Sequence, residues 1–363
     1  MPASYYEPLE GSERPAIINQ IRDEIRRGTK RLRKHGLDPT VYADPSRSQL
    51  LLIKTGDEWM RQQRNKPAPR RLFGDFWFEH ELCIMFADTN LGKSVLAVQI
   101  GSSLALHTAV GPFANELTQP ARVLYVDFEL TAKQFEQRYQ HPVAGSRHFG
   151  HTFYRAELNP RADNPAFYDD RNAYILSALE GAITRTNAGV LIIDNLTCIR
   201  SSTERAADAL PLMQQLKALK TTYKLSILAL AHTPKRNTAK PITVNDLQGS
   251  KMLINFADSA FAIGQSQRDP SKRYLKQIKQ RSAQQQYGEQ NVCTGHLVKE
   301  LNNLKYMFDG HSTEDEHLQK RTRALQQQQA QELHRQGHGY RHISRVLGIS
   351  TGTVSKLLAG HTG

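Results

Sequence analysis

The sequence predicts an α/β fold: a largely parallel sheet covered by helices on both faces, with a helical arm before it and a small all-helical unit after it. Three observations predict this. Four short, continuous apolar runs, LCIMFA (82–87), RVLYVDF (122–128), VLIID (190–194) and LSILALA (225–231), have the length and character of strands buried on both faces. Segments of helical period alternate with them at 94–106, 131–140, 172–186 and 206–222. The chain has 363 residues, 39% of them hydrophobic and 23% charged, which suffices for a sizeable core with appendages.

The elements follow in order. Residues 1–68 read as an arm. Within it, 15–36 set Ile17, Ile18, Ile21 and Ile25 at helical spacing behind Pro15, with basic residues over the remaining surface. Such a helix touches nucleic acid or a membrane surface, or docks by its isoleucine stripe on a neighbour. The segment NKPAPRR marks a boundary, and the α/β core is expected over 69–310. Residues 311–329 are polar and Gln-rich, with Leu318 and Leu325 their large apolar residues, and read as a linker or solvated helix. Apolar periodicity returns over 330–363.

Several classes are excluded. No apolar run approaches the roughly 20 residues that cross a bilayer. No basic stretch followed by an apolar one opens the chain, so no signal peptide is expected. Cys83, Cys198 and Cys293 are odd in number and lack metal-ligand spacing, against a disulfide framework or zinc site. A cytoplasmic protein with no membrane partner is expected. Lys and Arg number 48 against 35 Asp and Glu, a formal charge of +13, which favours a polyanionic partner.

One segment carries specific chemistry. Ala87-Asp88-Thr89-Asn90-Leu91-Gly92-Lys93-Ser94 follows the run 82–87 and opens the helix at 94–106, matching G-x-x-x-x-G-K-[ST] except for Ala87 at the first glycine. Successive amides and the helix N-terminus of such a loop wrap a β-phosphate. Gly92 permits close backbone approach, Lys93 reaches the β/γ-phosphates, and the Ser94 hydroxyl ligates Mg²⁺. A nucleoside triphosphate and Mg²⁺ are therefore the expected ligands. Asp194, ending an apolar strand, is the candidate second holder of the metal. Asn195 follows it where many nucleotide-driven machines place a glutamate. Glu129 stands just past the strand after the P-loop helix and is the candidate general base, with Asp127 its rival. An acid there also serves to cap the helix near Thr131. His232 sits at the tip of a further strand on the same edge, as a γ-phosphate sensor or a structural histidine.

Together the P-loop, Glu129, Asp194 without an adjacent glutamate, and His232 resemble a RecA-like P-loop NTPase core. The resemblance covers about 72–310 and is to hexameric plasmid and replicative helicases of the RepA/DnaB type and their bacterial AAA-family relatives. It implies that the nucleotide is ATP and that the chain is an ATPase working as a homo-oligomer, a hexameric ring, with nucleotide between subunits. It implies that the late strand in YLKQIKQRS (274–282) carries a basic finger, best matched by Lys279 and Arg281, that reaches the neighbour's γ-phosphate. Strand alternation puts those two on one side, and makes Lys276 and Lys279 face opposite ways. It also implies that the polar stretch after His232 lines a channel, where Lys235, Arg236, Lys240 and Lys251 contact single-stranded DNA through backbone charge.

Residues 333–360 read as a helix-turn-helix. Ile343, Val346 and Leu347 form one apolar face, Gly348 closes that helix, and Ile349 plugs the turn. Ser350 or Thr351 caps the second helix, from which Val354, Leu357 and Leu358 face inward. LGISTGTVSKLL is similar to the turn and recognition helix of resolvase- and Hin-type tails. That likeness makes Thr351, Thr353, Ser355 and Lys356 groove-facing, with Arg341 and Arg345 near phosphates of duplex DNA; the alternative is a helical pair for protein docking. The whole reads as an ATP-driven, DNA-binding motor of plasmid or mobile-element replication, or as an ATP-switched DNA-binding adaptor that assembles without unwinding.

Overall fold

The structure, a computed structural model, describes residues 27, 52–139, 149–162, 171–198, 206–234, 236–247, 251–300, 303–318 and 323–359. The chain divides into two compact units, Met1–Ala68 and Pro69–Gly363. In the first, helix α1 (Gly56–Arg64) opens on a capping box. The Thr55 hydroxyl accepts the Glu58 N–H at 3.2 Å, and the Glu58 carboxylate accepts the Thr55 N–H at 2.9 Å. The isoleucine-striped helix expected over 15–36 lies outside the described residues, apart from the helical, exposed Arg27.

The second unit begins with a two-stranded antiparallel piece, β1 (Arg71–Phe73) and β2 (Trp77–Phe78). The α/β alternation follows: β3 (Leu82–Ala87), α2 (Lys93–Leu106), β4 (Val123–Asp127), α3 (Ala132–Arg138), β5 (Phe153–Glu157), α4 (Arg171–Thr186) and β6 (Val190–Asp194). It continues through α5 (Ala206–Tyr223), β7 (Ser226–His232), α6 (Lys251–Phe256), β8 (Ser259–Gln265), β9 (Lys272–Lys279), β10 (Val292–Glu300) and β11 (Asn303–Ser312). Among the described residues the last nine strands form one sheet in the order β11-β10-β9-β8-β3-β7-β6-β4-β5. From β5 to β8 all pairings are parallel; β8, β9, β10 and β11 pair antiparallel. This is the mostly parallel, helix-covered α/β architecture that the apolar runs predict.

The strand β3 shows why those runs are continuously apolar. Leu82, Ile84 and Phe86 pack among Leu179, Ile183, Leu212 and Leu216 from α4 and α5. Cys83, Met85 and Ala87 point the other way, among Leu96, Ile100 and Leu104 of α2 and the aromatic group Phe73, Phe76 and Trp77. Successive side chains alternate across a strand, so a two-faced core demands apolar residues at every position. Each leucine, isoleucine, methionine or phenylalanine among them contributes about 1.5–3 kcal/mol by leaving water. Among the described residues, no helix is long and apolar enough to cross a membrane.

The C-terminal part differs from its predicted outline. β11 runs to Ser312, and α7 (Glu314–Leu318) follows at once. Helix α8 (Arg323–Arg335) then packs with α9 (Tyr340–Leu347) and α10 (Thr351–Ala359) around Ala330, Ile343, Leu347, Val354 and Leu357. Within 311–329 the described residues form the end of β11, α7 and the start of α8, and α8 joins the two predicted helices in a three-helix cluster. Gly348 ends α9 in the left-handed conformation at φ +67°, and the Ser350 hydroxyl caps α10 by accepting the Thr353 N–H at 3.1 Å. Val346, expected on the apolar face, is 49% exposed. It lies about 100° around the helix from Leu347, beyond what so small a cluster covers.

Candidate functional site

The parallel strands β3, β4, β6 and β7 end on one edge of the sheet, and their carboxyl ends bring the candidate residues together. Ala87 pairs with His232, and Asp127 pairs with Asp194. Such an edge is where open α/β sheets bind ligands.

The P-loop leaves β3 and enters α2. Its left-handed positions are Asn90, at φ +64°, and Gly92, at φ +93°. Asparagine tolerates that conformation and glycine favours it. Ala87 is still in the strand, 1% exposed and paired on both sides, so the consensus glycine has no backbone task there. A methyl on Gly92 would come within 2.9 Å of a Leu297 methyl, so close packing also reserves this position for glycine. Asp88 accepts a hydrogen bond from the Thr233 hydroxyl, and the Thr233 N–H binds the Ala87 carbonyl at 3.2 Å. Thr89 and Asn90 are exposed, while Leu91 is buried beneath them. The Lys93 ammonium donates to the Ala87 carbonyl at 2.8 Å and the Asp88 carbonyl at 3.0 Å, and lies 3.3 Å from His232 Nδ1. Burial lowers its pKa, while Asp194, Glu129 and Asp88 pull it back up.

Asp194 ends β6 and is 2% exposed. Burial pushes its carboxyl up to about 6, against hydrogen bonds from Ser94 and from Tyr125, whose hydroxyl donates at 2.6 Å. Ser94, in the first turn of α2, also helps hold that carboxyl down. Asn195 bridges outward. Its Oδ1 accepts the Thr197 N–H at 2.9 Å, and its Nδ2 donates to Glu129 Oε1 and lies 3.0 Å from His232 Nε2. Glu129 Oε1 is in turn 3.4 Å from His232 Nε2. His232, and less strongly Lys93 and Asn195, hold the Glu129 carboxyl below its usual range. Lys93, His232, Asn195 and Glu129 thus form one contiguous polar chain. Asp127 is outside it: it is 1% exposed, and its oxygens are taken by the Glu129 and Leu130 amides and by Arg155.

Lys279 and Arg281 are at the opposite edge. Lys279 pairs with Ala260 near the start of β8, whereas Ala87 pairs with Ile263 near its end. The Lys279 ammonium donates to the Ile254 carbonyl at 2.6 Å, and Arg281 donates to the Asn255 carbonyl at 3.0 Å and Asp258 at 3.4 Å. Neither reaches the P-loop of its own chain. Lys276 does not face away from Lys279 as strict alternation predicts. An irregularity in the β8–β9 register inserts a residue between Gln277 and Lys279, and both ammonium groups meet the segment 242–256.

In the stretch after His232, Lys235 and the Lys251 side chain lie outside the described residues, and Lys240 is exposed. Arg236, expected to contact DNA, is held within the loop. Its side chain is 7% exposed, donates to the Lys240 carbonyl at 2.5 Å and lies 3.5 Å from Asp246, because the loop folds back on itself. Ile242 is pinned twice: its N–H donates to Glu314 at 2.8 Å and its carbonyl accepts from Lys276 at 2.9 Å. Lys276 and Glu314 themselves pair at 2.5 Å. In the helical cluster, Arg341, Arg345, Thr351, Ser355 and Lys356 are exposed, and Thr353 is half-buried beside Ser350.

Tyr125, Arg155 and Thr233 belong to the site although nothing in the sequence marks them. Each acts across neighbouring strands, and only register brings it into contact.

A family model described as AAA domain matches residues 46–238. Among solved structures, a KaiC-like protein from the hyperthermophilic archaeon Pyrococcus horikoshii OT3 matches at 12% identity and a TM-score of 0.43, over 66% of this chain and 99% of that one. No curated protein matches.

Proposed function

The chain belongs to the AAA domain family of P-loop ATPases, and from that premise we propose that it is an ATP-hydrolysing motor acting on DNA, assembled as a hexameric ring. The observation that carries the reading is the contiguous chain from Lys93 through His232 and Asn195 to Glu129, at the mouth of a glycine-capped helix.

The residues fit ATP with Mg²⁺. Gly92 caps α2 with no side chain over the amides, and Ser94 in its first turn lowers the Asp194 carboxyl against the effect of burial. Bound Mg²⁺ would neutralise charge between the β- and γ-phosphates, held by Ser94 and Asp194. Lys93 exchanges its two loop carbonyls for phosphate oxygens. Glu129, kept ionised by His232 and Lys93, accepts the proton of the attacking water. Asn195 and His232 orient that carboxylate. Lys279 and Arg281, on the far edge, serve the site of the next subunit and stabilise transition-state charge there. Thr233 links the P-loop to the stretch bearing Lys235, Lys240 and Lys251, which contacts single-stranded DNA. The exposed cations and hydroxyls of α9 and α10 bind duplex DNA, and replication of a plasmid or mobile element is the setting this combination suits.

An ATP-switched adaptor is the second reading. It is favoured by Glu129 being already occupied by Asn195 and His232. Phosphate release and strand separation, with and without single-stranded DNA, separate the two. A motor shows DNA-stimulated turnover and unwinding, both abolished by Lys93→Ala at unchanged thermal stability. Nucleotide-dependent assembly without unwinding selects the adaptor, and wild-type turnover in Lys93→Ala refutes the P-loop assignment.

A further inference from the structure

We infer that Arg155 is a positioning residue for Glu129. It locks the short turn from which that carboxylate reaches the phosphates, and the inference rests on the reading of Glu129 as general base.

Glu129 lies two residues beyond the end of β4, where no ladder bond of the sheet holds it. One main-chain bond and two side chains hold the turn instead. The Phe128 N–H donates to the Asp194 carbonyl at 2.8 Å, and the Glu129 and Leu130 amides donate to Asp127 Oδ1 at 3.0 and 2.8 Å. Arg155, on β5 next door, completes the arrangement. Its Nε donates to Asp127 Oδ2 at 3.0 Å, its Nη2 to the Leu130 carbonyl at 2.6 Å, and its Nη1 to Glu157 at 2.8 Å. The guanidinium also lies over the Phe135 ring at 4.9 Å, fixing it from the α3 side.

The Glu129 and Leu130 amides and the Leu130 carbonyl are thereby immobilised through two side chains, next to the main-chain bond of Phe128. The Asp127 side chain is fully buried and that of Arg155 is 16% exposed. Without the guanidinium, Asp127 would be a buried, unpaired carboxylate, which must protonate or swing away. Either change releases the amides that aim Glu129. A planar fork satisfies the carboxylate and the carbonyl together, which a lysine ammonium does not reproduce. A displacement of about 1 Å in a catalytic group costs on the order of 10²-fold in rate.

The test measures steady-state ATP turnover, nucleotide affinity and thermal melting on the full chain for Arg155→Lys, Arg155→Ala, Glu129→Gln and the two double variants. Expected is a loss of kcat of roughly 10-fold for Arg155→Lys and about 10²-fold for Arg155→Ala, with ATP affinity within about twofold of wild type. In the Glu129→Gln background neither substitution lowers the residual rate by more than about twofold, since nothing is left to aim. Equal losses in both backgrounds, or full turnover in both single Arg155 variants, overturn the inference while leaving Glu129 as base. Wild-type turnover in Glu129→Gln overturns the base reading and this inference with it. If Arg155→Ala does not fold, Arg155→Lys with its double variant gives the same outcomes.

Discussion

The two edges of the central sheet each hold a cluster of candidate catalytic residues, in opposite electrostatic conditions. At the carboxyl edge Lys93, His232, Asn195 and Glu129 contact one another at 3.0–3.4 Å or closer, with capacity for further hydrogen bonds. At the amino edge Lys279 and Arg281 are satisfied locally by the last carbonyls of α6 and by Asp258. Cations there also complement the negative end of the helix. At the first edge the functional side chains are partnered mainly with one another, whereas at the second the cations are held by main-chain carbonyls and one carboxylate. Arg281 is 50% exposed, so in the proposed ring an exchange of Asp258 for a neighbour's phosphate would involve little desolvation.

The comparison breaks most sharply at Arg281. Arg281→Ala should lower turnover about 10³-fold or more while ATP affinity stays near wild type. Mixing it with Glu129→Gln protein should restore part of the rate, because each supplies what the other lacks. No restoration in phosphate-release assays of the mixture would return Arg281 to a purely structural place. A smaller effect is expected at His232. Its contact is the leading reason the Glu129 carboxyl sits below its usual range, so His232→Ala should raise that pKa. The acid limb of the kcat profile then moves to higher pH, with a loss of roughly 10-fold at neutral pH. An unmoved acid limb would separate His232 from the base. The smallest change sharpens the amino edge: Asp258→Asn weakens the pairs with Lys220 and Arg281 and should cost about 1–2 kcal/mol in denaturant unfolding. Turnover per site should stay within about twofold, since Asp258 holds Arg281 only at rest.

The same contrast explains what sequence reading reaches. The runs 82–87 and 190–194 coincide with β3 and β6 because strands buried on both faces have no polar position to blur their ends. The edge strand β5 escapes the pattern: its residues are half-buried and include Arg155 and Glu157. β8 escapes as well, since its small residues are selected by close neighbours; a Cβ on Gly264 would fall 2.2 Å from the Tyr274 ring. The P-loop is legible because its eight residues act in one continuous turn, and Glu129 because strand ends share an edge. The Arg155 role is not, since it depends on the register Tyr125↔Arg155 between strands 30 positions apart in sequence, of which one was unrecognised. Arg236 looked like a free cation because its partner Asp246 stands ten residues on, across a turn that charge counting does not reveal.

The double grip on Ile242 sets a length. Between Thr233, tied to the P-loop, and Ile242, tied to Lys276 and Glu314, eight residues make the connection. Eight residues span at most about 27 Å of contour, so a span tethered at both ends projects roughly half of that. In the proposed motor a strand contacted by Lys240 would therefore pass close to the Ile242 anchor, two residues away, and the travel of that contact would be bounded by the same short tether.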